Sequence, residues 1–375
     1  MNGEVILSRT IRPNDVRDWV ASTENTITFK IHRGSEFAVF AEAAALARIH
    51  ELQSGGVEIH LDFAFGSVDE FATTFFSTGL GAVSGLFGVA LILSAGSIQF
   101  RGVAAHTTFA DRVWEEVMNR QADITSYLKR HVVFRDPDYA LPKCLPRRSI
   151  VEFPFPTAFK EFLRRATSEI PEFKGRGIGA GKYEDRLLTF LYETARNSHE
   201  HARPNVPNRR LSHIRGITLE KRTIAELLKS PGTPQLLNEY LLKVDGAARS
   251  VVLMSVSDLG PGIQETLPSL QLETPWDRLV RAITTSATSK PSGGDEGNRG
   301  LGLPNVVNAA QRLRAFLFFS SAGQQAYADC SLPAERFTLT PWPEPSPTSV
   351  GTAISLLWPI VNESADQEEL FPRHQ

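Results

Sequence analysis

The stretch VVLMSVSDLGPGI, Val251 to Ile263, decides the fold. The apolar run Val251 to Val256, closed by turn residues, predicts a buried strand near Val251 to Ser257. The strand ends in an aspartate and a glycine-containing turn, which places a carboxylate at the lip of a sheet. From there Asp258 can accept a hydrogen bond from the amino group of adenine, a donor that guanine's carbonyl does not offer at that position. Gly260 and Gly262 permit left-handed turn geometry and close ligand approach. A turn with no ligand fits the same residues when they are taken alone.

Two further motifs flank this one in a fixed order. Upstream, ETARNSHEH puts Glu193 and Asn197 four residues apart on one face of a helix expected over Tyr183 to His201, while Leu187, Leu188 and Leu191 can bury the other face. A carboxylate and a neutral amide stacked this way suit a water and a magnesium ion. The amide oxygen can complete an octahedral shell that also takes phosphate oxygens, and Glu193 can orient or deprotonate an attacking water. A solvated helix surface is the plain alternative for that pair. Downstream, GGDEGNRGLGLPNVV, Gly293 to Val307, carries Gly297, Gly300 and Gly302, whose backbone N–H groups can form an anion cradle. The helix expected from Pro304 to Leu313 adds its positive end, and Arg299 adds charge near a terminal phosphate.

In order and character these motifs resemble the ATPase domain shared by DNA gyrase, heat-shock chaperones, sensor histidine kinases and MutL-type repair proteins, the GHKL superfamily. ETARNSHEH resembles its N-box, DLGPGI its first glycine box, RGLGL its second, and Gly351-Thr352 its closing Gly-Thr. The match covers about Pro156 to Pro359. The resemblance implies an α/β sandwich with a mixed sheet under helices, binding ATP with Mg²⁺ beneath a mobile lid. By it, Glu193 is the general base, Asn197 the metal ligand, and Asp258 the adenine reader. Gly260 and Gly262 form the turn under the nucleotide, Gly300 and Gly302 bind phosphate, and Thr352 makes a polar contact near adenine. Two departures stand out. The gap between Asn197 and Asp258 is long and holds an extra helix near Leu236 to Lys243. The lid region Gln264 to Arg299 contains a helical piece near Trp276 to Ile283 and the polar segment Thr284 to Lys290.

Working outward, the chain reads as α/β throughout. Residues 1–131 form a small α/β domain of regulatory type, vaguely similar in element order to STAS-like modules. Its expected elements are strands at Thr26 to His32, Val57 to Phe63 and Val89 to Ser94, and helices at Glu36 to Leu52 and Asp111 to Arg130. Residues 132–155 lose the pattern among repeated prolines and are taken as a linker. Residues 156–362 are the ATPase-like domain, with further elements expected at Thr157 to Ser168 (helix), Ile214 to Leu219 (strand) and Ala353 to Trp358 (strand). Residues 363–375 are an acidic tail.

Composition constrains the function classes. The 375 residues are 42% apolar and 22% charged, with a net charge of −2, so no overall field draws the molecule to nucleic acid, and none is expected as a partner. Cys144 and Cys330 are too few for a zinc cluster and fit a reducing, cytoplasmic setting. The stretch Phe71 to Phe100 has no charged residue and exceeds the roughly 20 residues that a bilayer helix needs. Its glycines, its Ser and Thr content and the lack of flanking Lys/Arg clusters favour a buried helix followed by a buried strand over a membrane span.

Other motifs fail on spacing. GRGIGAGKYED, Gly175 to Asp185, has Arg176 and Tyr183 where a phosphate loop needs Gly and Ser or Thr. His199-Glu200-His201 lacks the second histidine of HExxH, since Arg203 stands there. His50-Glu51-Leu52 resembles the start of a phosphoacceptor box, but Gly55-Gly56 ends its helix at once. The expected activity is therefore that of an ATP-binding signalling ATPase or ATP-dependent switch. The alternatives are a histidine or anti-sigma serine kinase acting on an unidentified protein partner, and a module that binds ATP without hydrolysing it. A homodimer is compatible with each.

Overall fold

The computed structural model describes residues 3–6, 10–19, 26–31, 36–65, 90–95, 98–103, 131–134, 160, 163–164, 183–201, 215–230, 233–246, 248–285, 302–332, 337–343, 346 and 348–361. The chain divides into two compact units, Met1–Val151 and Glu152–Gln375. Both combine helices with sheet, so the protein is of mixed α/β class.

The first unit contains β1 (Gly3–Ile6), β2 (Thr10–Ile11), α1 (Pro13–Arg17), β3 (Thr26–Ile31), β4 (Glu36–Phe37), α2 (Ala41–Ser54), β5 (Glu58–Phe65), β6 (Ala90–Ala95), β7 (Ile98–Val103) and β8 (His131–Phe134). Its main sheet has the order β1-β3-β5-β6-β7, parallel from β1 to β6, with β7 added as an antiparallel edge. The parallel order follows from the α2 crossover, since parallel neighbours need a long connection. Small residues Ala41, Ala44, Ala45 and Ala47 with Ile49 and Leu52 give α2 its buried side. Arg48 clamps it by donating to the Trp19 carbonyl while pairing with Glu51. Gly56, at φ 87°, ends the helix as expected of a glycine stop.

Two sequence expectations change here. The helix predicted from Glu36 begins only at Ala41, because Phe40 takes φ 69° and Glu36–Phe37 instead pair in parallel with Thr10–Ile11. The linker expected from residue 132 begins inside a strand, β8, where two valines and a phenylalanine suit extended backbone. A strand expected at Val89 to Ser94 is present as β6, and β7 follows it. The helices expected at Phe71 onward and at Asp111 to Arg130 lie outside the described residues.

The second unit contains α3 (Glu184–His201), β9 (Arg215–Thr223), α4 (Ile224–Lys229), α5 (Gln235–Val244), β10 (Ala248–Asp258), α6 (Ile263–Thr266), α7 (Pro275–Thr284), α8 (Gly302–Arg312), β11 (Phe316–Ser321), β12 (Gln324–Asp329), β13 (Thr340–Pro341) and β14 (Thr352–Val361). The expected helices at 183–201, 236–243, 276–283 and 304–313 and the strands at 214–219, 251–257 and 353–358 correspond to α3, α5, α7, α8, β9, β10 and β14, shifted by a few residues at their ends. Most of the helix expected at 157–168 lies outside the described residues.

The strands run in the order β13-β12-β11-β14-β10-β9, and each described pairing between them is antiparallel. The mixed sheet implied by the resemblance is therefore not what these pairings form. The physical reason is that β14 inserts between β10 and β11. Those two strands run in the same direction, joined by the α6–α8 crossover, but each meets only an antiparallel neighbour.

Residues opposite each other on antiparallel strands share a face, and neighbours along a strand alternate. Phe316 is opposite Leu357, whereas Trp358 lies on the other face. Tyr240 of α5 packs tilted against Phe316 with ring centroids 5.4 Å apart, and Tyr183, just before α3, packs on Trp358 at 5.6 Å. Helix α5 and helix α3 thus cover opposite faces. The α5 face also holds Phe318, Tyr327 and Trp342 in an aromatic cluster. Burying one such large side chain contributes about 1.5–3 kcal/mol. Tyr240 is fully buried with its hydroxyl donating to the Arg314 carbonyl. Burial first, and the Asp329 carboxylate second, push its phenol well above the ordinary tyrosine range.

Candidate functional site

The polar candidates gather at one end of the α3-covered face. Asp258 is the last residue of β10, Thr352 the first of β14 and Ser321 the last of β11. Register makes them one row: Asp258 is opposite Thr352, and Thr352 is opposite Ser321. The next row on the same face is Val256, Ile354 and Phe319, all buried. A buried polar row that closes an apolar face is the informative feature, since most such positions are filled by hydrocarbon. Asp258 and Ser321 are themselves buried.

The DLGPGI turn closes over this row. Asp258 Oδ1 accepts from the Gly260 N–H at 2.9 Å, the aspartate's own-backbone turn that fixes the chain two residues on. The Gly260 carbonyl accepts from the Gly351 N–H at 2.8 Å, and the Gly351 carbonyl accepts from the Ala322 N–H at 3.0 Å. Three separate loops are thereby laced together. Gly262 has φ 99°, and a Cβ added there would lie 2.4 Å from the Ala322 Cβ. The close approach that this glycine permits is to the β11–β12 turn. Gly260 is not among the positive-φ glycines of the described residues. It precedes Pro261, which biases its backbone towards extended conformations.

The β11–β12 turn is a two-residue loop, Ala322-Gly323, with both φ values positive at 34° and 86°. Positive φ at both positions is what a hairpin turn of the type I′ kind requires. Below it, fully buried Gln264 holds Ser321: its Nε2 donates to the carbonyls of Ser321 and Ala322, and its Oε1 accepts from Ser321 Oγ at 2.9 Å. Ser321 Oγ also accepts from the Ile263 N–H at 2.7 Å. Sequence reasoning missed both residues. The only local signal is a glutamine directly after the DLGPGI motif and a small-residue turn after an apolar run.

The second part of the site lies on the helices. Leu187, Phe190, Leu191, Thr194, Ala195 and Ser198 are buried, as the helical period requires, while Glu193 and Asn197 are half-buried on the flank. Leu188, expected in the core, is also only half-buried. Helix α3 packs against β10 and against α8, and α8 against β11. At the α3–α8 crossing Gly302 meets Asn197: a Cβ on Gly302 would lie 2.6 Å from Asn197 Oδ1 and 2.7 Å from Nδ2. Nδ2 is buried and has no hydrogen-bond partner among the described residues. Pro304 is the third residue of α8, in the first turn, where its missing N–H costs no intrahelical bond.

Of the residues named from sequence, the structure therefore brings Asp258, Gly260, Gly262 and Thr352 together at the sheet end, and Asn197 and Gly302 together at the helix crossing. Glu193 stands one turn before Asn197 on α3. Arg299 and Gly300 lie outside the described residues, as do residues 286–299 of the lid region. Among the described residues no group of three or more His, Cys, Asp or Glu side chains could hold a metal, and no helix is long and apolar enough to cross a membrane.

Compared with known proteins, the chain matches no family model and no curated protein. Its own residues and their geometry carry the functional reading.

Proposed function

We propose that the Glu152–Gln375 unit is a GHKL-type ATP-binding domain acting as a signalling ATPase or ATP-dependent switch, with the Met1–Val151 unit as its regulatory, STAS-like partner domain. The observation that carries this reading is the meeting of Asn197 with Gly302. Two motifs far apart in sequence abut there, on the helices that cover the face where Asp258 and Thr352 form a row. The buried Nδ2 of Asn197 is a donor, so in this reading it is Oδ1, the other end of the amide, that faces the cation.

In this reading Asp258 accepts the exocyclic amino group of adenine, and Thr352 makes the neighbouring polar contact. Gly260 and Gly262 set the turn that holds Asp258 in place. Asn197 holds the cation, Gly302 offers its backbone to the phosphates, and Arg299 and Gly300 complete the phosphate contacts. Magnesium, when bound, neutralises phosphate charge. Glu193 orients the attacking water and takes its proton.

Incubation with radiolabelled ATP, following free phosphate and labelled protein together, tests the reaction. Phosphate release that is lost in Glu193→Ala supports an ATPase, and equal turnover in that variant removes the proposed base. Label appearing on a protein supports kinase chemistry towards a partner. ATP binding without either product leaves a nucleotide-locked module. Binding itself is tested by calorimetry of Asp258→Asn. Affinity should fall by about tenfold or more, the scale of a hydrogen bond to a charged acceptor, and unchanged affinity would sink the adenine assignment.

A further inference from the structure

We propose that Gln264 and Ser321 are positioning residues that set the hydrogen-bonding polarity of Thr352, and through it the choice of an amino-bearing purine over a 6-oxo purine. This claim rests on the ATP reading above. It follows from a proton count through the buried network.

Gln264 donates from Nε2 to two carbonyls, those of Ser321 and Ala322, each at 2.8 Å. The reverse amide orientation would set an oxygen against two oxygens, so the orientation is fixed, with Oε1 as an acceptor. Oε1 accepts from Ser321 Oγ, and this uses the one proton that the serine hydroxyl owns. Ser321 Oγ accepts from the Ile263 N–H, which leaves it one lone pair. Thr352 Oγ1 lies 3.5 Å from that oxygen. Ser321 has no proton left to give, so any hydrogen bond across this long contact is donated by Thr352. The lone pairs of the threonine hydroxyl then face away from Ser321.

The consequence for a ligand is chemical. Thr352 sits beside Asp258 in the same row, and both offer oxygen acceptors. A purine with a 6-amino group brings a donor to that row, whereas a 6-oxo purine brings a third acceptor. If Ser321 loses its hydroxyl, Thr352 is released from this constraint, its proton can turn outward, and the row can satisfy either ligand.

The test is calorimetry on the full chain with ATP and inosine triphosphate, which differs in carrying the 6-oxo group. Wild type should prefer ATP by about tenfold or more. Ser321→Ala should narrow that ratio by about fivefold, the scale of one redirected hydrogen bond. Thr352→Ser should keep the ratio, because the hydroxyl and its partner remain. Should Ser321→Ala fail to fold, Ser321→Cys retains the shape with a sulfur that is a poor acceptor, and it should narrow the ratio too. A purely structural role would weaken both nucleotides equally. An unchanged ratio in the folded Ser321 variants therefore overturns the polarity relay and leaves ATP binding standing. Wild type that binds neither nucleotide overturns the ATP reading and this inference with it.

Discussion

The contact between Asn197 and Gly302 can be measured by building into it. Gly302 lies outside the left-handed region, so alanine is allowed by the backbone, and the whole cost of Gly302→Ala comes from what its Cβ meets. That atom would stand 2.6 Å from Oδ1, 2.7 Å from Nδ2 and 3.0 Å from Cγ of Asn197, closer than non-bonded atoms approach. Overpacking of this kind costs about 1–3 kcal/mol, and swinging the amide off its rotamer instead costs about 0.5–1.5 kcal/mol. In an Asn197→Ala background the obstacle is gone. The same substitution should then be neutral or stabilising by up to about 1 kcal/mol, the helix-propensity gain of alanine over glycine. Asn197→Ala alone should cost little in hydrogen bonding, because its buried Nδ2 has no partner among the described residues. The coupling energy between the two sites is therefore about 1–3 kcal/mol. Urea unfolding followed by hydrogen exchange at β10 and β14 amides reports this unit by itself. A coupling below about 0.5 kcal/mol would refute the packing of α8 onto Asn197.

Three other outcomes follow from the same geometry. Gly262→Ala combines φ 99° with a Cβ 2.4 Å from that of Ala322. It should destabilise the second unit by about 3 kcal/mol or more, and a thermal midpoint within a degree of wild type would contradict the turn. Glu273 is held below the ordinary carboxylate range, chiefly by the hydrogen bond from Arg281. A carboxylate lowered in the folded state stabilises above its unfolded value of about 4.3 and loses that contribution as pH falls through its folded value. Glu273→Gln should therefore flatten the acid limb of stability against pH below that value, and an unchanged limb would remove the ion pair from the balance. Cys330 is buried, and burial, reinforced by Asp329, pushes its thiol well above the ordinary range. In a Cys144→Ser chain its reaction with a disulfide reagent at pH 8 should track unfolding of the second unit, so fast labelling of that folded chain would contradict the burial.

Much of the second unit was legible in sequence because its signals are local. β10 announces itself by an apolar run that stops at Asp258, and α3 by its buried side at Leu187 and Leu191. Local signals also mislead. Nothing in the period of Glu36 to Leu52 tells that Phe40 adopts φ 69°, so a strand and a helix read as one helix. The β11–β12 hairpin was missed because Ala322-Gly323 lacks the asparagine or aspartate that usually marks such a turn. The phosphate-side candidates show the same limit, since Gly302 is recognisable as a glycine but the Asn197 amide that fills its missing side chain is not.

The identity of the site depends on register, which no single sequence carries. Two serines end β11, and they are chemically the same. Ser320 is opposite Ala353 and half-exposed, while Ser321 is opposite Thr352 and buried on the face that holds Asp258. A slip of one residue would exchange them and turn the whole strand inside out. What prevents the slip is apolar: Phe319 and Leu317 on one face, Phe318 and Phe316 on the other, each buried beside its own partners. Gln264 then reads the outcome, because its amide accepts from Ser321 and donates to the Ser321 and Ala322 carbonyls. The hydrophobic core of β11 thus determines which hydroxyl stands next to Thr352, and the polarity of the sheet end is a consequence of packing several residues away.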